Sequence, residues 1–393
     1  MAAPQHFDFF DADNHYYEPL DCFTRHIARA HQDLAIRYVF DDAGPRIVVG
    51  DRPYTYGAVY TEQCPEPGSL IQFLRTLKKG REIQTETDQP IPVEYQDRDA
   101  RIAMMDTQGV ESTILLPTLG VTVEHFMRDQ VVQTYANLES FNRFIEEDWG
   151  FDHQGRIFSA AMLSLIDRER GVTELERVLA QGARVIHLLA GPQGKRSPGD
   201  PYFDPFWARV EEAGAVVVFH SAETGYNELF STAWGEEPNP TPFEQSAFQW
   251  MNFFGDRPII ETLTSLVFMN LFDRFPKLRI ASLEYGSIWV RYILESIDKK
   301  KGMARNGPWP GGRLKRRPSE IFREHIYVAP FPEDDVPALV ELLGPERVLA
   351  GSDFPHAEGM TEPGDFFTLV ETLPQETQHL VMRDNARRLL GLD

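Results

Sequence analysis

Apolar residues fall into short unbroken runs, separated by longer stretches in which they recur every three or four positions. Short runs of Val, Ile and Leu suit strands buried on both faces, as in a parallel sheet covered by helices. They predict eight strands: His6–Asp13, Ser112–Leu116, Arg156–Leu163, Ala183–Leu189, Ala215–Phe219, Leu278–Leu283, His325–Ala329 and Arg347–Gly351. The helical period predicts Asp97–Gln108, Gln130–Asp148, Arg168–Gln181, Asp204–Ala213, Arg257–Phe275, Ser287–Lys300, Asp334–Leu343 and Gln375–Leu390. Gly109 and Gly214 stand where C-caps belong, and Pro276 stops a third helix.

Strands alternating with helices in this number describe an α/β chain folded as a TIM (β/α)8 barrel. An open doubly wound sheet is the competitor, but it would place a glycine-rich phosphate turn after its first strand. The first strand here runs into Asp11-Ala12-Asp13-Asn14-His15, without glycine. Barrels with insertions reach 393 residues, so one domain over 1–393 is expected. Two connections carry the excess, about 20–96 after strand 1 and about 221–257 after strand 5. Both are rich in aromatic residues and leave from the face on which barrel active sites are built.

Charge and composition narrow the partners. A formal net charge of −21 argues against nucleic acid, which is bound by clustered Lys and Arg. The basic run Arg313–Arg317, beside Trp309, Pro310 and two glycines, reads as a solvated loop. Cys22 and Cys64 could pair, but a reduced, cytoplasmic state is the simpler expectation, since no signal peptide or membrane-length apolar run is evident. A small molecule is the expected partner.

Asp13 and His15 lie two apart in extended backbone and so point the same way. His220 follows the run Ala-Val-Val-Val-Phe, and Asp353 follows Val-Leu-Ala-Gly-Ser. A polar strand end or a helix cap explains any one of them. In a closed barrel, however, the ends of strands 1, 5 and 8 converge on one mouth. Two imidazoles and two carboxylates then surround a point suited to one divalent ion, with Zn²⁺ first and Mn²⁺ or Fe²⁺ as alternatives. Glu284 ends the sixth run among apolar neighbours, which would raise its pKa and suit it to proton transfer; a salt bridge or cap is the structural alternative. His187 ends strand 4. Glu18, Glu223, Tyr226, His356 and Glu358 lie just past strands 1, 5 and 8, and His187, Glu223, Tyr226 and His356 are the expected substrate contacts. Gly-x-Ser-x-Gly, Cys-x-x-Cys and a phosphate loop are absent from the sequence.

These residues belong to a wider pattern. It comprises Asp11–His15 with Glu18-Pro19, Arg101–Asp106 before Gly109-Val110, Asp204–Trp207, Val218–His220, Arg274–Leu278, Gly351–His356 and Asn385–Leu389. Over almost its whole length the chain resembles the amidohydrolase-related group that includes aminocarboxymuconate-semialdehyde decarboxylase. The resemblance implies a deformed barrel with one divalent metal, and it makes a homodimer plausible. The family's His-x-His or Glu-x-His on strand 1 is met here by Asp13 and His15. The strand-5 ligand maps to His220 and the strand-8 aspartate to Asp353. Where the family often has a strand-6 histidine, this chain has Glu284. An ionised glutamate accepts a proton or binds metal, but cannot act as a cationic acid.

The leading expectation is hydrolysis of a small, partly apolar substrate, derived from an aromatic or unsaturated acid, by metal-activated water, with Asp353 or Glu284 taking the proton. Non-oxidative decarboxylation of an aromatic or unsaturated acid is the alternative. A non-catalytic barrel used for binding is the third reading, and the fold does not choose among them.

Overall fold

A computed structural model describes residues 9–392 apart from 43, 58, 71–87, 239 and 241–243. Seven strands form one parallel sheet in sequential order: β1 Phe9–Tyr16, β2 Val110–Pro117, β3 Ile157–Leu163, β4 Val185–Leu188, β5 Val216–His220, β6 Ile280–Leu283 and β7 Ile326–Val328. Every residue of β1, β3, β4, β5, β6 and β7 is buried, which suits apolar runs such as Val216–Phe219 in β5. Helices alternate with the strands, and the whole is a deformed TIM barrel.

The expected eighth strand, 347–351, is not regular. It closes the barrel by isolated hydrogen bonds. Leu349 N–H donates to Val328 O (2.9 Å), and Ala350 O accepts from Ala12 N–H (2.9 Å). Beyond it Asp353 N–H donates to Asp13 O (2.8 Å), and Phe354 O accepts from His15 N–H (2.7 Å). Asp353, at φ +55°, is left-handed, so the bonds before and after it do not form one continuous ladder. β1 ends later than expected, at Tyr16, because its last residues pair with 115–117 of β2. The His6–Asp8 part of that expectation lies outside the described residues.

Most helices follow their sequence signals. Arg98–Gln108 is capped by Asp97, whose carboxylate accepts from Asp99 and Ala100 N–H, and it ends at Gly109 with φ +71°. Asp204–Ala213 ends at Gly214 with φ +64°. The expected 257–275 helix is two, Asp256–Phe268 and Leu271–Arg274, because Asn270 adopts φ +56°, which asparagine tolerates better than most residues. Arg313, Lys315, Arg316 and Arg317 are exposed as expected, around a buried Leu314.

The described part of the first long connection carries a three-stranded antiparallel sheet, Ile36–Asp41, Gly44–Val49 and Arg52–Pro53, and a hairpin pairing Gln63–Pro65 with Asp88–Pro90. The second includes Tyr226–Phe230 and the helical turns Ala247–Gln249 and Trp250–Phe254. Cys22 and Cys64 are buried free thiols. Among the described residues no helix is long and apolar enough to cross a membrane.

Candidate metal centre

β1 is held in place by two buried groups. The Asp11 carboxylate accepts from Ser352 N–H (2.9 Å), Ser352 Oγ (2.5 Å) and Asn14 Nδ2 (2.9 Å), tying β1 to the closing segment. Burial pushes its carboxyl up to about 6, and those hydrogen bonds limit the rise. The fully buried Arg101 donates to Asn14 Oδ1 (2.6 Å), His15 O (2.7 Å) and Glu94 O (2.7 Å). Between Asp11 and Asn14 the register with β2 shifts, and a bulge of this kind re-aims the side chains beside it.

Asp13 and His15 leave β1 at this bulge and meet His220 from the end of β5. His15 Nε2 lies 3.1 Å from His220 Nε2, 3.3 Å from Asp13 Oδ1 and 3.4 Å from Asp353 Oδ1. His220 Nε2 is 3.5 Å from Asp13 Oδ1 and 2.8 Å from Glu284 Oε2. The opposite ring nitrogens face backbone carbonyls: His15 Nδ1 faces Pro117 O at 3.4 Å, and His220 Nδ1 faces Ser221 O at 2.8 Å. A carbonyl only accepts, so in its neutral form each ring carries its proton on Nδ1 and turns the Nε2 lone pair inward, where a cation can take it. Two lone pairs and several carboxylate oxygens therefore point at one small volume.

That convergence is costly unless a cation shares it. Asp13 Oδ1 is buried and makes no hydrogen bond. Burial disfavours a charged His220, yet Glu284 and Asp13 outweigh it and hold the pKa well above the usual imidazole value. His15, pressed by burial and by His356 and His220, drops to about 3. Asp13, His15 and His220 could hold a metal ion, as could His15, Asp353 and His356, and the two sets share His15. The donor set of two imidazoles and two carboxylates fits a divalent transition metal.

Glu284 and Asp353 both adopt left-handed backbone, at φ +53° and +55°. Each such residue costs roughly 1–3 kcal/mol, and strain of this kind clusters at working sites. Burial raises the pKa of both carboxyls, more than His220 draws Glu284 back or His356 draws Asp353 back. His356 Nδ1 sits 2.7 Å from Asp353 Oδ1, and its Nε2 lies 2.9 Å from Thr118 Oγ1. His356 therefore orients Asp353. Glu358 joins Glu284 and Asp353 in a third acidic group that could hold a cation.

The centre forms the floor of a cavity of about 850 Å³. Tyr38, Ile47, Tyr54 and Tyr56 of the first long connection line it, with Trp250 and Phe254 of the second. Glu18 also lines it. Its carboxylate accepts from Leu119 and Gly120 N–H, each at 2.8 Å, and burial pushes it up to about 7 despite them.

Asp13, His15, His220, Glu284, Asp353 and His356 are brought together; three other expected residues are not. His187 is buried within β4, its ring nitrogens without hydrogen bonds, and does not line the cavity. Glu223 turns back on its own loop to accept from Gly225 N–H at 2.6 Å, where Gly225 takes φ +81°. Tyr226 donates to Glu261 (2.7 Å) and lines a separate pocket of about 180 Å³. Sequence reasoning did not single out the tyrosine wall, although Tyr54, Tyr56 and Tyr60 stand close together in the chain.

It also passed over Gly351. A Cβ there would lie 2.7 Å from Asp13 Cβ. Gly351→Ala is expected to push Asp13 aside and weaken metal binding by about 10- to 100-fold, the usual scale for losing a group that orients a ligand. Titration of the apoprotein with Mn²⁺, alongside an unchanged circular dichroism spectrum, checks this; unaltered affinity would show that Asp13 does not contribute.

A family model described as amidohydrolase matches residues 86–392. The chain is 23% identical over 314 residues to 2-amino-3-carboxymuconate-6-semialdehyde decarboxylase of Dictyostelium discoideum, covering 76% of this chain and 77% of that one. Among solved structures, an amidohydrolase from Mycobacterium avium subsp. paratuberculosis K-10 aligns with TM-score 0.86 and 34% identity, over 98% of this chain and 99% of its own. The 5-carboxyvanillate decarboxylase of Sphingomonas paucimobilis aligns with TM-score 0.59 and 18% identity, over 98% of each chain. A dihydroxybenzoic acid decarboxylase from Polaromonas sp. JS666, with bound manganese and 2-nitroresorcinol, aligns with TM-score 0.59 and 16% identity, over 98% of this chain and 97% of its own. With the family model spanning most of its length, the chain belongs to the amidohydrolase family.

Proposed function

We propose that the chain is a metal-dependent, non-oxidative decarboxylase of an aromatic or unsaturated carboxylic acid. The observation that carries the reading is the convergence of the His15 and His220 lone pairs with Asp13 and Asp353 on the floor of an aromatic-lined cavity. The decarboxylases among its relatives favour this over the hydrolysis first expected from sequence.

Asp13, His15, His220 and Asp353 would hold the ion, with Zn²⁺, Mn²⁺ and Fe²⁺ all compatible with such donors. When bound, it supplies positive charge for a substrate carboxylate and a neighbouring oxygen. The chain's own residues hold the acid in place and manage one proton. The cavity walls pack the apolar body and exclude water from it. Glu284 lines the floor, burial raises the pKa of its carboxyl, and in its protonated form it is the acid placed beside the substrate. As the carbon–carboxylate bond breaks and its electron pair stays on carbon, that proton passes from Glu284 to the carbon and carbon dioxide leaves. Glu284 is then reprotonated from water. His356 keeps Asp353 oriented throughout.

One observation favours hydrolysis as a second reading: once ionised, Glu284 could serve as a base towards water at the same place. Metal-reconstituted protein incubated with aromatic acids, and in parallel with aryl esters, lactones and amides, separates the two. Release of carbon dioxide is the expected result, and ester, lactone or amide cleavage without it would overturn the proposal. Less than about a tenth of an equivalent of metal, not restored by adding divalent ions, would favour a binding module over both enzymes.

A further inference from the structure

We infer that the substrate is a bulky aryl monocarboxylate whose body is uncharged and larger than one ring, seated under a roof built by the two long connections. The inference rests on the proposed decarboxylase reading for the carboxylate end, and on the cavity itself for the rest.

The roof begins in the small antiparallel sheet. Tyr38 and Ile47 are direct cross-strand partners, and both face the cavity. The chain then delivers Tyr54 and Tyr56 to the same wall. The Tyr54 hydroxyl is fixed 2.6 Å from Thr122 Oγ1, and its ring rests 5.0 Å from Phe126. The Tyr56 ring stacks on Phe254 of the second connection, at 5.9 Å and 26°, and Phe254 in turn meets Trp250 at 4.7 Å. The two connections therefore join through Tyr56 and Phe254 above the metal centre. The positions are set by packing and hydrogen bonding, so the apolar wall is preformed.

Size and charge then limit the occupant. About 850 Å³ lies towards the upper end of the ~300–1,000 Å³ typical of pockets that enclose drug-sized ligands. A single-ring acid would leave much of that wall against water. Away from the four proposed metal ligands, the ionisable side chains lining the cavity include Glu18, Glu284, Glu333, Glu358 and His356, and no Lys or Arg lines it among the described residues. A second carboxylate on the substrate would face those acids, and among the described residues its one cationic partner would be the His356 imidazole, already paired with Asp353. Buried like charges repel strongly and an unpaired one is costly to desolvate. Among the described residues the lining therefore favours a substrate whose one anionic group is the carboxylate delivered to the metal.

Calorimetric binding to the Mn²⁺-loaded full-length protein tests this, with benzoate, isophthalate and biphenyl-4-carboxylate as probes. Biphenyl-4-carboxylate is expected to bind at least about tenfold more tightly than either other acid, which corresponds to about 1.4 kcal/mol. Tyr56→Ala is expected to abolish that preference, bringing biphenyl-4-carboxylate down to the affinity of benzoate for the same variant. Should Tyr56→Ala not fold, Phe254→Ala removes the other half of the contact. Equal or tighter binding of isophthalate or benzoate by the wild type would overturn the inference, as would a preference untouched by the substitution. Binding does not depend on turnover, so the two readings fail separately. Strong biaryl binding without carbon dioxide release from any acid would overturn the decarboxylase reading alone. Turnover confined to small diacids would overturn this inference alone.

Discussion

His220→Ala is expected to leave a folded protein that no longer retains stoichiometric metal after dialysis and has lost more than about 100-fold in turnover. The side chain sits at the end of β5 with its Nδ1 proton on Ser221 O, so its Nε2 is committed to the centre. Three potential partners lie within 3.5 Å of that atom: His15, Asp13 and Glu284. Changes to groups that merely orient a ligand cost 10- to 100-fold, and removing a ligand itself must exceed that. Removal also strands Asp13 Oδ1, which already has no hydrogen bond, and deprives Glu284 of its partner at 2.8 Å. Metal content by plasma emission, read with carbon dioxide release, checks both parts. Full metal retention with activity within tenfold of wild type would mean that the ion is held elsewhere.

The second large effect is on stability. Arg101→Met is expected to lower the free energy of unfolding by about 3–5 kcal/mol, the scale for removing one member of a buried charged network. Arg101 is fully buried, and burial lowers its pKa to about 10, which still leaves it charged at neutral pH. Its three hydrogen bonds satisfy Asn14 Oδ1, His15 O and Glu94 O, and methionine can replace none of them. The unpaired acceptors would remain in the interior, and the buried Asp11 would lose a nearby cation. Because Asn14 and His15 belong to β1, metal affinity is expected to fall as well. Denaturant titration of metal-free and metal-loaded protein gives both quantities. A loss below about 1 kcal/mol would show that water replaces the guanidinium, and that β1 is secured by other contacts.

Much of the barrel was legible because its strands are buried on both faces, which leaves unbroken apolar runs such as Val216–Phe219. Helix ends were legible where a local rule decides them, as at Gly109 and Gly214. The approach of Asp13, His15, His220 and Asp353 followed from their places at strand ends. What stayed hidden depends on tertiary geometry. The bulge that aims Asp13 has no residue signature of its own. A run of apolar letters announces neither the irregular pairing of the eighth segment nor the positive φ of Asp353 beyond it. Tyr226 lies beyond a strand end, as a substrate contact should, yet the turn at Gly225 carries it to another pocket. The tyrosine roof is assembled from two connections that have no periodicity in common.

The seam between the first strand and the closing segment has a consequence for how the molecule stays shut. It is stitched by a few backbone hydrogen bonds, among them Asp353 N–H to Asp13 O. The side chains of those same two residues lean towards His15 from opposite sides of the joint. An ion gripped by both would act as a rivet through this irregular join of the ring, so that loading the centre and fastening the cylinder become a single event.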